Sequence, residues 1–315
     1  MKMLEQLHHL FGKPWAVTPE MAEAGRRLFE ALLSEQMGLV GQVAPLRQLA
    51  EIHAQAPSAA RADRGKPAGN IMVIPVVGLL TQRGDVINSM TTESSAALAG
   101  AVRAAGADES VEAIVLELDS PGGEVFGIPE AATAIRETRA AKPIVAAANS
   151  VAGSAAYWLG SQATELVVTP SGEVGSIGVW TSHADHSKQL DQKGVKVSLI
   201  YAGKYKVEGH PYGPLEDEAR AGIQADVDRF YGMFVAEVAK GRSTKERPVS
   251  VDAVRNGYGE GRMLGAPAAV KAGMADAIGT LEDAIRRAVA LARERRRDRG
   301  AAAALDLRQV QRQRG

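Results

Sequence analysis

Cysteine is absent from this 315-residue chain. That excludes a disulfide scaffold, cysteine-ligated zinc, iron–sulfur clusters and thiol catalysis. Net charge is missing too: 37 Lys and Arg balance 37 Asp and Glu, so the molecule as a whole has no bias toward nucleic acid or a membrane surface. Aromatic residues make up only 4%. No apolar run is long. The strongest, "IMVIPVVGLL" from Ile71 to Leu80, is about half of what spans a bilayer, and Pro75 and Gly78 interrupt it. It reads as a buried strand or two. The N-terminal "MKMLEQLHHLFGKPW" lacks the unbroken apolar core of a secretory signal. A soluble, intracellular protein without a membrane anchor is expected.

What is present is apolar and small. Hydrophobic residues reach 45%, ample for one large core or two modest ones. "VTPEMAEAGRRLFEALL" offers Thr18 as an N-cap and Pro19 at the first helical position, with helical spacing through Leu33 and a second helical stretch to about Ala54. "AQAPSAARADRGKPAGN" then reads as a linker, so residues 1–68 form a helical appendage. From Asn70 strands alternate with helices of 10 to 15 residues: strand "IMVIPVVG", helix "TTESSAALAGAVRAAGAD", strand "VEAIVLELDS", helix "IPEAATAIRETRAA", strand "KPIVAAANS". This alternation argues for βαβ units and a largely parallel sheet in an α/β fold. Short strands in "ATELVVTPSGEVGSIGV", a helix in "HADHSKQLDQKGV", a strand "KVSLIYAG" and a long amphipathic helix from "GPLEDEAR" come next, and the core domain closes over 69–280. Residues 281–315 read as a short basic tail, helical or disordered, whose arginines between Arg293 and Arg299 form a solvated face.

Two strand ends carry loops suited to chemistry, because sites in α/β sheets lie at the carboxyl ends of strands. "LDSPGGEVFG" places Gly122 and Gly123 after a strand, where the missing Cβ lets backbone N–H groups approach a ligand oxygen. "NSVAGSAAYWLG" places Ser154 at a strand-to-helix junction. Such a serine is an N-cap, packing filler or a nucleophile, and a nucleophile needs a base for its proton and donors for an oxyanion. "GGEVFG" is not a GxGxxG dinucleotide fingerprint, and "AGSAA" is not the GxSxG elbow. Of six histidines, His8, His9 and His53 lie in the appendage. His183 and His186 flank Asp185 without a further ligand cluster, and His210 lacks an obvious orienting aspartate. No metal or other cofactor is implied. Lys204 and Lys206 in "YAGKYKVEG" come after a strand and share one face of an extended segment. A lysine serves as a base only if its pKa falls from about 10.4 to about 7–8, some 4 kcal/mol against the ammonium, which requires burial. Geometry alone leaves the two lysines open.

In this order, "LDSPGG", "ANSVAGSAAYW", "GEVGSIGV" and "AGKYK" resemble the signal peptide peptidase A family of serine–lysine proteases, which share the crotonase/Clp-protease-like fold. The resemblance implies Ser154 as nucleophile and Lys206, 52 residues on, as general base. It further implies an oxyanion hole from the amides of Gly122 or Gly123 with Ala155, and Ser176 positioning the lysine amine. "PWAVTPEM" and "KYKVEGHPYGPLEDEARAGIQ" look like the phage and prophage head-maturation subgroup, similar to the lambda capsid-assembly protease. That subgroup implies a homo-oligomer acting in the host cytoplasm or assembling procapsid on protein substrates: scaffold, portal or its own termini. The tract "AAAALDL" in the tail is a candidate self-cleavage site. Two other readings are a catalytically inactive capsid-assembly component of the same fold, and a crotonase-type acyl-CoA enzyme using Glu124.

Overall fold

The computed structural model describes residues 15–17, 67–68, 71–84, 86–87 and 90–314. The helices expected over 18–54 and the linker after them lie outside the described residues. In chain order the elements begin with β1 (Trp15–Val17), β2 (Pro67–Ala68), β3 (Ile71–Val77), β4 (Leu80–Thr81), β5 (Val86–Ile87), β6 (Met90–Thr91), β7 (Glu93–Ser94) and α1 (Ser95–Ala107). The centre holds β8 (Ala113–Ser120), β9 (Gly122–Glu124), α2 (Ile128–Ala141), β10 (Ile144–Gly153), α3 (Ala155–Gly160), β11 (Glu165–Val168) and β12 (Glu173–Gly175). The last part holds α4 (Ser187–Gln192), α5 (Asp217–Arg242), α6 (Val251–Gly257), β13 (Met263–Gly265), α7 (Ala266–Ala272), β14 (Ala277–Ile278) and α8 (Leu281–Arg314).

The α/β class is as expected. The main sheet runs β13-β12-β10-β8-β3-β2, with β11 beside β10 and β14 beside β11. The pairs β3–β8, β8–β10, β10–β11 and β10–β12 are all parallel. Parallel strands covered on both faces read as continuous apolar runs, and β8 and β10 do: "AIV" and "IVAAA" are fully or almost fully buried. α1 starts where the Ser94 hydroxyl accepts from Ala97 N at 3.1 Å, an N-cap. α2 starts after Gly127, whose φ of +79° needs glycine, with a proline in its first turn. One face of the sheet packs against α1, α2, α3 and α5 in a core containing Leu116, Ile135, Trp158 and Phe234. Trp158 stacks on Phe234 at 4.5 Å between ring centroids.

The opposite face is covered by α8. Ala284, Ala288 and Ala292, four residues apart along one helix face, are buried against Ile71, Val115, Val145 and Val167. Alanine at these three positions lets the helix lie close to the strands, with Leu281, Ile285, Val289 and Leu291 packed beside them. Arg287 clamps the helix to β11 by donating to both Glu165 carboxylate oxygens at 2.7 and 2.8 Å.

One expected strand is absent. Residues 195–200 of "KVSLIYAG" join no ladder, and Val195, Val197, Leu199, Ile200 and Tyr201 are exposed, Ile200 at 99%. The alternating pattern is there, but a strand needs a partner edge, and these residues find none among the described residues.

Candidate active site

β10 delivers Ser154. Its ladder with β8 runs in register to Ala148↔Leu118 and resumes at Ala152↔Ser120, so Asn149–Val151 bulge out. Bulges bend a strand and re-aim the residues beyond them. Here the end of β10 pairs with β12 (Ala152↔Val174, Gly153↔Gly175). The Ser154 N–H is then held by Gly175 O at 2.7 Å, and Ser154 O accepts from Trp158 N at 2.9 Å as α3 begins. Between these two anchors Ser154 has φ 50° and ψ −114°. A non-glycine residue in that region costs about 1–3 kcal/mol and persists only when its surroundings over-determine it. The motif around the serine is not GxSxG, yet the backbone device is the same in kind: strand, strained serine, helix. Ser154 is fully buried, and its hydroxyl faces the Gly178 carbonyl at 3.5 Å.

Gly122 meets this turn from β9, and Gly123 follows it against β4. A Cβ on Gly122 would stand 3.0 Å from Ala155 N and 3.0 Å from Gly153 O, and its φ is +104°. A Cβ on Gly123 would fall 1.9 Å from Leu80 O. Neither position has room for a side chain. Ala155 opens α3, so its N–H has no acceptor within the helix. The Gly122 N–H is held by Ser120 Oγ at 3.2 Å, and the Ser120 hydroxyl itself donates to Gly78 O at 2.6 Å. The sequence does not single out Ser120, although it sits inside "LDSPGG". The residues brought together are thus Ser154, Ala155 and Gly122, while Gly123, next along β9, lies against Leu80.

Ser176 lies just beyond β12 with φ 53°. Its hydroxyl donates to Val17 O at 3.3 Å, a residue of β1, and its N–H donates to Arg262 O at 2.9 Å. No hydrogen bond joins it to a lysine among the described residues.

The two lysines separate. Lys204 Nζ is 2.5 Å from Glu218 Oε1 and 2.9 Å from the Tyr205 hydroxyl. Those two hydrogen bonds raise its pKa and keep it an ammonium. Lys206 is exposed, in a turn closed by its N–H on Gly203 O at 3.1 Å. Its amine has no hydrogen bond or ion pair among the described residues. It is not joined to Ser154.

His183 and His210 are otherwise engaged. His183 Nε2 contacts His210 O at 3.0 Å, and His210 Nδ1 accepts from Tyr212 N at 3.1 Å. Asp185 accepts from Ser187 N at the start of α4; the hydrogen bonds from Ser187 hold its carboxyl below the usual range. Among the described residues no group of three His, Cys, Asp or Glu could hold a metal ion. No helix among them is long and apolar enough to cross a membrane.

Residues 136–294, which include Ser154 and Lys206, match the profile of Peptidase family S49. The chain is 31% identical over 297 residues to the head-tail preconnector protein GP5 of Enterobacteria phage P21, covering 90% of this chain and 57% of that protein. It is 34% identical over 218 residues to the capsid assembly protease C of Escherichia phage lambda, covering 68% and 48%. A chloroplastic serine protease SPPA of Arabidopsis thaliana matches at 27% over 195 residues, 62% of this chain and 27% of the plant protein. The chain spans about half the length of the two phage relatives.

Proposed function

The chain belongs to peptidase family S49, and on that footing we propose that it is a serine endopeptidase in which Ser154 attacks the peptide carbonyl and Lys206 takes its proton. The observation that carries this reading is the strained Ser154 turn, closed on by Gly122, which admits no Cβ beside it. Strain of that kind is retained where a side chain must be presented at a fixed angle. The carbonyl oxygen, negative in the tetrahedral intermediate, would be received by the Ala155 amide and by Gly122 or Gly123. For Gly122 to donate, its N–H must turn from Ser120 Oγ to the oxyanion. Ser176 would position the amine of Lys206 once its hydroxyl leaves Val17 O.

Lys206 rather than Lys204 is favoured because Glu218 and Tyr205 keep Lys204 protonated. A lysine works as a base only where its amine is desolvated, so Lys206 must lose water. Four residues near it in the chain, Val195, Val197, Ile200 and Tyr201, present apolar surface to solvent. Covering that segment with a second copy of the chain would supply both the missing strand partner and the desolvation. We therefore read the active form as a homo-oligomer. Its substrates are proteins of an assembling phage head (scaffold, portal or the chain's own termini), by likeness to the capsid assembly protease of phage lambda, and it works in the host cytoplasm or procapsid.

The test is intact mass of the full chain over hours at neutral and mildly alkaline pH, with a capsid scaffold protein added in parallel. Wild type is expected to cut at defined bonds, while Ser154→Ala and Lys206→Ala leave every chain whole. Cleavage by Ser154→Ala would remove the serine mechanism. Normal cleavage by Lys206→Ala would move the base to Lys204 or His210. No cleavage by any form would favour the inactive structural reading.

A further inference from the structure

β9 has two edges. One pairs with β4 through Leu80↔Gly123. The other is taken by β1, which runs antiparallel with Val17↔Gly122, Ala16↔Gly123 and Trp15↔Glu124. β1 also reaches the Ser154 turn. The position of a Cβ on Gly122, 3.0 Å from Ala155 N, is 2.1 Å from Ala16 O. Val17 O takes the Ser176 hydroxyl. Ala16 is fully buried and Val17 is 7% exposed.

A peptide bound for cleavage must bring a carbonyl to Ser154 and satisfy its own backbone groups. An unpaired strand edge does this by adding the peptide as another strand. The edge of β9 beside Ser154 takes a strand in this way, and the strand on it is a piece of the same chain.

We propose that β1 is a built-in ligand of the substrate-binding edge. Extended peptides with small apolar residues pair with the same edge of β9, at the positions that now enclose Ala16 and Val17, and β1 must leave before they bind. A three-residue ladder is short enough to be exchanged. This rests on the protease reading above for the role of the edge, but its test does not depend on turnover.

The chain has no cysteine, so a designed pair is free of competing thiols. Directly opposed residues of an antiparallel ladder have Cα atoms about 4.5–5.5 Å apart, within the range of about 4.4–6.8 Å that a disulfide accepts. The double variant Trp15→Cys with Glu124→Cys is therefore expected to cross-link on oxidation and fix β1 in place. Two readouts test this. A fluorogenic peptide with Ala-Val before its reporter amine should be cleaved at least tenfold more slowly by the oxidised than by the reduced protein. In a Ser154→Ala background, a fluorescein-labelled peptide carrying Trp-Ala-Val should bind the reduced form at least tenfold more tightly, by anisotropy. The single cysteine variants should not respond to oxidant.

If neither form cleaves the peptide, the protease reading fails, and the binding comparison still decides the role of β1. Equal binding to both forms, or binding to neither, overturns the proposal. So does failure of the pair to cross-link, because the register itself would then be wrong. A second variant, Ala16→Arg, cannot be buried where Ala16 lies. It is expected to lower KM for the fluorogenic peptide severalfold, and an unchanged or raised KM counts against the proposal.

Discussion

Glu218 is bound to Lys204, with Oε1 2.5 Å from Nζ, and the lysine two residues on is left without a partner among the described residues. The pair sits in solvent and adds little to stability. Its effect is to hold the Lys204 amine protonated. Lys204→Ala should leave peptide hydrolysis within about threefold of wild type. Lys206→Ala should lower kcat by about 10²–10⁴, the range a positioned proton acceptor contributes. Lys206→Arg should not rescue it, because a guanidinium stays protonated. Steady-state hydrolysis of one fluorogenic peptide by the three variants decides the matter.

Gly122 offers a steric test. Alanine there must hold φ +104° and place its Cβ 2.1 Å from Ala16 O and 3.0 Å from Ala155 N. Gly122→Ala should reduce kcat at least 100-fold, the cost of losing an oxyanion donor, while circular dichroism keeps its helical signal. Normal kcat in Gly122→Ala would remove this amide from the mechanism.

Arg242 and Asp276 tie the end of α5 to the segment before β14. Arg242, 3% exposed, donates to both carboxylate oxygens at 2.8 and 2.7 Å and to Gly273 O. Breaking such a pair from one side costs about 3–5 kcal/mol, so Arg242→Ala should unfold many degrees below wild type. Burial pushes the Asp276 carboxyl up, but Arg242, the Leu166 N–H and Arg247 together outweigh it and hold the pKa below its usual value. A lowered folded pKa gives stability that is full above the unfolded value of about 3.9 and lost as pH falls below it. Urea midpoints between pH 6 and 3 should fall more steeply for wild type than for Asp276→Asn.

Ile200, 99% exposed, should sit in the contact between copies. Ile200→Asp is expected to leave the fold intact, to reduce self-association in sedimentation, and to make specific activity fall at dilutions where wild type still works. Activity independent of both protein concentration and this substitution would sever assembly from catalysis.

Much of the scaffold was legible. The run "IPEAATAIRETRAA" coincides with α2, and the apolar strands β3, β8 and β10 stand where periodicity puts them, because both signals are local. The resemblance to a serine–lysine protease family was sound at the level of family. Three features were not legible. The φ of Ser154 depends on Gly175 and on the bulge in β10, neither of which is coded at the serine itself. The pairing of β1 with β9 joins residues more than 100 positions apart, and a three-residue strand has no periodicity to read. The "KVSLIYAG" segment carries a strand pattern that meets no partner among the described residues. In α8 the fully or almost fully buried positions of the apolar face are alanines, flanked by Leu281, Ile285, Val289 and Leu291, and alanines look like filler until a sheet is laid against them.

That alanine face limits how far this chain can be shortened. Ile71, Val115, Val145 and Val167 are kept from water by Leu281 through Ala292, so a cut within that span would strip the sheet and leave an aggregating fragment. Any maturation at the C-terminal end must fall beyond it, in the stretch that contains "AAAALDL". The outer helix acts as a ruler, marking the length on which the fold depends.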